Sequence, residues 1–133
     1  MKTFKTIVAI VTLIMISSCA TTAKFPVSNT VPAAEIKAKK KLDKNNNYTV
    51  EVSAKNLAEA SRLNPPKNNY SVWIVLNSGE IKNIGQMKNK NSKKGSLKTT
   101  TPFNPREIFI TAENNGNLNT PEGLEISRTN FSK

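Results

Sequence analysis

The sequence predicts an all-β protein, an immunoglobulin-like antiparallel β-sandwich of about seven strands, preceded by a signal peptide and a flexible tether. Two observations support the sandwich. Apolar and polar residues alternate with period two from Ala33 onward, and turn residues interrupt this alternation at regular spacing. Removing residues 1–18 from the 133 leaves 115, which suits one compact domain with a single core.

The first predicted hairpin follows directly on the tether. Ala34, Ile36 and Ala38 occupy one face of its first strand, and charged residues occupy the positions between them. The asparagine-rich segment 43–47 forms the turn, and the alternation resumes over residues 48–55.

Five further strands follow at similar spacing. Ser78-Gly79 and Asn115-Gly116 supply turn residues between them, and a short helical turn fits between residues 55 and 63. The immunoglobulin core signature of two cysteines and a tryptophan is incomplete, since only Trp73 is present. The five strands cover approximately residues 70–76, 80–87, 95–101, 106–113 and 123–129.

The first 18 residues have the layout of a secretory signal peptide. Lys2 and Lys5 precede an uncharged apolar run at 7–16, and the small residues Ser17 and Ser18 follow it. The run has about half of the roughly 20 residues that a membrane-spanning helix needs. We therefore expect the segment to be removed after export rather than kept as an anchor.

The segment Ile16-Ser17-Ser18-Cys19 resembles the lipobox of bacterial lipoproteins, and Cys19 is the only cysteine of the chain. The resemblance implies cleavage between Ser18 and Cys19 and acylation of Cys19 with chains such as palmitate. Two or more acyl chains hold a protein stably on a bilayer. By the same resemblance, Ala20 implies a place in the bacterial envelope, on the outer membrane facing the periplasm. An ordinary signal peptide with a chance cysteine is the alternative.

Residues 19–32 are interpreted as the lipidated cysteine and a flexible tether, and residues 33–133 as the β-sandwich domain. The tether segment contains threonines, two prolines and little apolar periodicity. A coil of this length spans roughly 20 Å. The domain is therefore expected to lie close to the membrane.

The basic surplus of the chain bears on the class of partner. The formal net charge is +11, and it is +9 without Lys2 and Lys5 of the signal peptide. Such a surplus attracts anionic lipid headgroups, polysaccharides or nucleic acid. Nucleic acid is not expected, because the sequence shows neither a recognition helix nor interleaved aromatic residues. We expect the membrane as a partner through the lipid anchor, and an envelope protein or an anionic glycan as a further partner; a merely solvated surface is the alternative.

Two segments resemble the extracytoplasmic, C-terminal domain of anti-sigma-K factors. They are N-Y-S-V-W-I-V-L-N-S-G-E-I-K-N-I-G-Q at 69–86 and I-F-I-T-A-E-N-N-G-N-L-N-T-P-E-G at 108–123. The resemblance implies the sandwich fold and an envelope setting. It does not imply binding of a sigma factor, because we find no counterpart of the cytoplasmic helical part or of the spanning helix of those regulators. The positions that match the family pattern are Trp73, Glu113, Gly116, Pro121 and Gly123.

The sequence argues against an enzyme. The chain has no histidine, and its one cysteine is assigned to the anchor, which leaves no serine–histidine, cysteine–histidine or usual zinc chemistry. We predict no catalytic residues, no metal and no cofactor. A small hydrolase based on two carboxylates stays open as an alternative, although scattered acids are usually solvated. Its candidates are Glu80, Glu107, Glu113, Glu122 and Glu125.

One candidate binding surface is the strand at 70–76, which is apolar on both faces. A sandwich strand has one inward face, so the side that carries Trp73 and Val75 must be covered by a loop, shielded by a partner or left open. We expect Trp73 to lie inward or under a loop.

The other candidate surface is a lysine loop, and its alternative is a solvated loop without function. We expect it to lie on a different surface from the strand lysines Lys37, Lys39 and Lys41. The lysine loop is defined by Lys88, Lys90, Lys93 and Lys94.

The pattern as a whole predicts a lipid-anchored, non-catalytic binding or structural module of the bacterial envelope. An accessory sensor domain that works with a separate anti-sigma-type regulator is an alternative, and so is the carboxylate-based hydrolase.

Overall fold

The structure, a computed structural model, describes residues 20–90 and 93–131. This part of the chain contains nine strands and one short 3-10 turn at Ala60–Arg62. The signal peptide, the cleavage site at Ser18 and the lipidation site at Cys19 lie outside the described residues. The strands are β1 (Thr21–Lys24), β2 (Glu35–Leu42), β3 (Tyr48–Lys55), β4 (Asn69–Val75), β5 (Ile81–Gln86), β6 (Lys88–Lys90), β7 (Lys94–Thr101), β8 (Glu107–Glu113) and β9 (Leu124–Asn130).

The strands form two antiparallel sheets. The five-stranded sheet has the order β1-β2-β3-β7-β6, and the four-stranded sheet has the order β5-β4-β8-β9. In an immunoglobulin sandwich one sheet runs A-B-E-D and the other contains C-F-G. The series β2-β3-β7-β6 and β4-β8-β9 follow these two orders, and β5 adds a strand beside β4. The predicted immunoglobulin-like antiparallel sandwich is confirmed.

Alternation along the strands builds the core. Ile36 pairs with Ala54 and Ala38 pairs with Val52 across β2 and β3, and all four side chains are buried. They share one hydrophobic cluster with the inward side chains of β4 and β8. Each large aliphatic side chain in such a cluster contributes about 1.5–3 kcal/mol relative to exposure. The predicted hairpin at 33–55 therefore provides a central part of the five-stranded sheet's contribution to the core.

Tyr70 joins β4 to the connection that follows β3. Its hydroxyl group donates a hydrogen bond to the carbonyl oxygen of Ala58 at 2.7 Å, and its ring lies in the core with 2% of its surface exposed. Burial disfavours the phenolate and raises the pKa of Tyr70 to about 12.

The tether interpretation is corrected from Thr21 onward. β1 pairs with β2 along its whole length, and Ala23, Phe25 and Val31 are buried in the core. The sandwich therefore begins at Thr21 rather than at residue 33. The alternation was too short to reveal this strand, because Ala23 is the one inward apolar residue of β1.

The interpretation of residues 88–94 as a loop is corrected as well. Lys88–Lys90 form β6, which pairs with the start of β7 at the edge of the five-stranded sheet. Strand β6 has no apolar alternation, and its pairing with β7 is what defines it. Strands β1 and β6 raise the number of strands from about seven to nine.

Candidate functional site

The outward side of the five-stranded sheet carries most of the basic surplus. Successive side chains of a strand point to opposite faces, and residues paired across antiparallel strands share a face. The register therefore gathers on one side lysines from all five strands, and each of those below has an exposed side chain. We call the following eight residues the lysine face: Lys24, Lys37, Lys39, Lys41, Lys55, Lys88, Lys94 and Lys98.

Glu35 and Glu51 are the acidic residues that the described strands place among these lysines, so the eight lysines and two glutamates together carry a net charge of +6. The chain from Cys19 onward has 18 basic and 9 acidic residues, a surplus of nine. Two thirds of that surplus is therefore concentrated on one side of one sheet. The ion pairs among the described residues lie elsewhere, on β5, β8, β9 and the adjoining turns.

An open groove of about 680 Å³ crosses the lysine face. Ser53 and Ser96 are paired across β3 and β7, and their short side chains lie among the longer lysines that line the groove, including Lys37, Lys55 and Lys94. Two smaller depressions of about 310 and 300 Å³ lie on the same side of the sheet. The lining contains five lysines against one carboxylate, that of Glu35. Ammonium and hydroxyl groups both donate hydrogen bonds, so this surplus of donors suits an anionic ligand.

The structure divides the four residues of the predicted lysine loop. Lys88 and Lys94 belong to the lysine face, Lys90 pairs with Lys94 by register, and Lys93 lies in the turn that precedes β7. The expectation that the strand lysines of β2 lie on a different surface is wrong, because β3 and β7 connect β2 to β6 within one sheet.

Lys40 differs from the neighbouring lysines of β2. Its ammonium group donates hydrogen bonds to Asn104 Oδ1 at 2.8 Å and to the carbonyl oxygen of Pro105 at 2.7 Å, and it lies 5.1 Å from the centroid of the Phe131 ring. Partial burial lowers the pKa of Lys40 below its ordinary value. Lys40 therefore ties β2 to the segment before β8 and does not belong to the lysine face.

Trp73 lies on the outward side of the four-stranded sheet, yet none of its surface is exposed. It stacks on Phe109 with 6.2 Å between ring centroids and forms a second hydrophobic cluster with Phe109, Val75 and Leu118. Leu118 belongs to the segment 114–123, which connects β8 to β9. The expectation that Trp73 is covered is therefore confirmed, and the cover is a loop.

A chain of buried hydrogen bonds holds this loop closed. The indole N–H of Trp73 donates to Thr111 Oγ1 at 2.8 Å, and the Thr111 hydroxyl donates to Glu113 Oε1 at 2.7 Å. The same carboxylate oxygen accepts the backbone N–H of Glu122 at 3.1 Å. Glu113 is 1% exposed, so its carboxylate is used within the protein.

Further positions of the anti-sigma-K-like pattern adjoin the same loop. A side chain at Gly123 would place its Cβ 1.9 Å from the carbonyl oxygen of Ala112, so only glycine fits there. Asn83 on β5 donates hydrogen bonds to the carbonyl oxygens of Gly116 and Leu118. Trp73, Glu113, Gly116 and Gly123 thus share one structural task, the closure of segment 114–123 over the sheet.

The other candidate carboxylates of a hydrolase lie on the surface, and three of them pair with cations. Glu80 pairs with Lys82 at 3.3 Å, Glu107 with Arg106 at 3.1 Å, and Glu125 with Arg128 at 2.6 Å. Within residues 20–90 and 93–131, no three or more His, Cys, Asp or Glu residues come together in a way that could hold a metal ion. In that same part of the chain, no helix has the length and apolar character needed to cross a bilayer.

Comparisons with protein-family models, with curated proteins and with solved structures gave no match for this chain.

Proposed function

We propose that the protein is a lipid-anchored protein of the bacterial envelope, held on the outer membrane and facing the periplasm, in which a non-catalytic β-sandwich acts as a binding module. The observation that carries the proposal is the position of Cys19. It ends a segment that resembles a lipobox, and it stands two residues before β1.

This short connection determines how the module is held. Two residues span at most about 7 Å, so the acyl chains of a lipidated Cys19 enter the bilayer close to Thr21. Since β1 is an edge strand of the five-stranded sheet, that sheet stays at the membrane surface. The attachment is direct and replaces the roughly 20 Å span of a tether.

Several observations favour binding over catalysis as the task of the sandwich. The one deeply buried candidate carboxylate, Glu113, accepts hydrogen bonds from Thr111 and Glu122, and the groove of about 680 Å³ has five lysines and two serines in its lining. The residues that resemble anti-sigma-K factors close a loop, so they add nothing in favour of a sensing role.

Metabolic labelling tests the anchor. Cells that express the full chain are given radiolabelled palmitate, and the label is expected in the wild type and not in Cys19→Ser, which lacks the acceptor thiol. Ser18→Ala serves as the matched control, because it keeps a small residue before the thiol and should be labelled normally. Absence of label from the wild type, or equal labelling of Cys19→Ser, would show that the protein is not a lipoprotein.

A further inference from the structure

We infer that the lysine face is a docking surface for anionic lipid headgroups, and that the sheet lies flat on the bilayer that holds the anchor. The inference rests on the proposed function for the proximity of the membrane, and on the structure for the surface itself. It names the partner of the binding module as a phosphate-bearing lipid surface.

The shape of the charged area favours a planar partner. Five strands spaced about 4.8 Å apart give the sheet a width of roughly 19 Å, and the lysine face includes residues from every strand. A linear glycan would follow one groove, whereas a layer of headgroups meets the whole area at once. Between the lysine rows, the groove gives phosphate groups access to the short side chains of Ser53 and Ser96, and one of the smaller depressions gives access to Ser53.

The chemistry of the two outer sides indicates which one meets the membrane. The outward side of the four-stranded sheet is covered by segment 114–123 and carries paired charges, as in Glu107 with Arg106 and Glu125 with Arg128. The lysine face, counted together with Glu35 and Glu51, carries a net +6 and forms no ion pair among the described residues. Charge complementarity therefore selects the lysine face for an anionic surface.

On the described part of this sheet, the outward positions hold no large apolar side chain that would enter the acyl region of a bilayer. Its outward positions on β2 and β3 are charged residues, Ser53 and Thr49. Docking is therefore electrostatic. Each lysine near an anionic leaflet strengthens binding roughly fivefold at moderate ionic strength, and the effect fades when salt shortens the Debye length to about 3 Å at 1 M.

The test uses the mature lipidated protein, reconstituted into vesicles of phosphatidylcholine alone and into vesicles of phosphatidylcholine and phosphatidylglycerol in equal parts. Acetylation of each lysine by an amine-reactive reagent is followed by mass spectrometry. On the anionic vesicles, we expect the lysine face to react about tenfold more slowly than on neutral ones, because its summed attraction keeps it docked. Lys44, Lys67 and Lys82, which lie off the lysine face, should react equally on both.

Matched variants separate the lysine face from net charge. The first replaces Lys37, Lys55 and Lys94 by glutamine, and the second replaces Lys44, Lys67 and Lys82 by glutamine, so both lose three charges. We expect the first variant to lose protection of its remaining lysines at a lower salt concentration than the wild type, and the second to match the wild type. Equal losses in the two variants would overturn the inference, because net charge alone would then account for them.

Flotation distinguishes failure of the inference from failure of the proposed function. A protein that floats with both kinds of vesicle but shows no protection of the lysine face is anchored and not docked, which overturns the inference. A protein that floats with anionic vesicles alone, with protection, is docked without an anchor, which overturns the proposed function. A glycan partner would give a different result. A soluble acidic polysaccharide added to the neutral vesicles would then protect the lysine face, and vesicles that contain phosphatidylglycerol would not. That result would overturn the choice of a lipid.

Discussion

Replacement of Thr111 by valine should open the loop over Trp73 and destabilise the whole domain. Valine has nearly the shape of threonine, so the change removes the hydroxyl group and little else. That hydroxyl accepts the indole N–H of Trp73 at 2.8 Å and donates to Glu113 at 2.7 Å. Thr111→Val therefore leaves a buried N–H without its acceptor and removes one donor from a carboxylate that is 1% exposed.

The expected cost follows from these two losses. A buried donor without a partner costs about 1–3 kcal/mol, and a hydrogen bond to a charged group contributes about 1.5–3 kcal/mol. The extra methyl group of valine offsets part of this through apolar contact. We expect a net loss of about 3 kcal/mol in the free energy of unfolding, which lowers the melting temperature of a domain of this size by roughly 12 °C.

Urea unfolding of a soluble fragment, residues 20–133, measures this loss. The fragment keeps all nine strands, and the fluorescence of Trp73, the only tryptophan, reports on the loop directly. The wild type should emit in the blue and resist quenching by acrylamide, whereas Thr111→Val should be quenched more readily. Thr111→Ser is the matched control, since it restores the hydroxyl and should lie within about 1 kcal/mol of the wild type. If the valine and serine variants unfold at the same urea concentration, the hydrogen-bond chain does not hold the loop.

Three further outcomes are expected in the same fragment. Tyr70→Phe should cost about 1 kcal/mol at neutral pH through its lost hydrogen bond. Burial raises the pKa of Tyr70 to about 12, and the stability that this raised pKa contributes is lost as the pH rises from 10 through 12. The wild type should therefore fall to the stability of Tyr70→Phe within this range and below it near pH 12; parallel pH profiles would contradict this. Gly123→Ala should fail to fold or lose more than about 3 kcal/mol in the free energy of unfolding, since its Cβ meets a fixed backbone oxygen. Gly116→Ala should be less destabilising, because its Cβ meets the movable end of a side chain. Equal melting temperatures of the two variants would refute the steric argument. Lys37→Glu should raise the melting temperature by roughly 2 °C, because it turns the cross-strand repulsion from Lys24 into an attraction. Lys44→Glu changes the net charge equally but lies in a turn, so it should leave the melting temperature unchanged. The same rise in both variants would assign the effect to net charge.

The strands that sequence reasoning found are those with long alternation. Ile36 and Ala38 on β2 and Val50 and Val52 on β3 are inward residues at spacing two, and each lies in the core. Alternation of this length reports burial directly, because a sheet with one face in the core buries every second side chain. Strand β6 lacks any such signal, since pairing with β7 rather than burial of its side chains defines it.

The lysine face could not be derived from local pattern alone. The odd-numbered lysines of β2, such as Lys37 and Lys39, were visible as one side of a strand. Their proximity to Lys88 and Lys94 depends on which strands are neighbours and on their register, and long-range pairing leaves no trace in a short window of sequence. The cover over Trp73 also depends on long-range pairing, because the pairing of β4 with β8 is what brings Thr111 and Glu113 close to Trp73.

The arrangement of lysines also argues against solubility as their sole task. Lys24 stands directly opposite Lys37, and Lys55 stands directly opposite Lys94, and like charges in this position destabilise a sheet. Glu35 stands opposite Lys55, and Glu51 stands between Lys39 and Lys98, yet both like-charge pairs remain. A surface that served solubility alone would mix the two signs more evenly than two glutamates among eight lysines. An anionic partner that binds only the folded protein relieves the repulsion and stabilises the fold by mass action. Folding and docking are then coupled. The melting temperature of the protein should therefore rise on vesicles that contain phosphatidylglycerol. This rise should be smaller in Lys37→Glu, because the repulsion between Lys24 and residue 37 is already relieved in that variant.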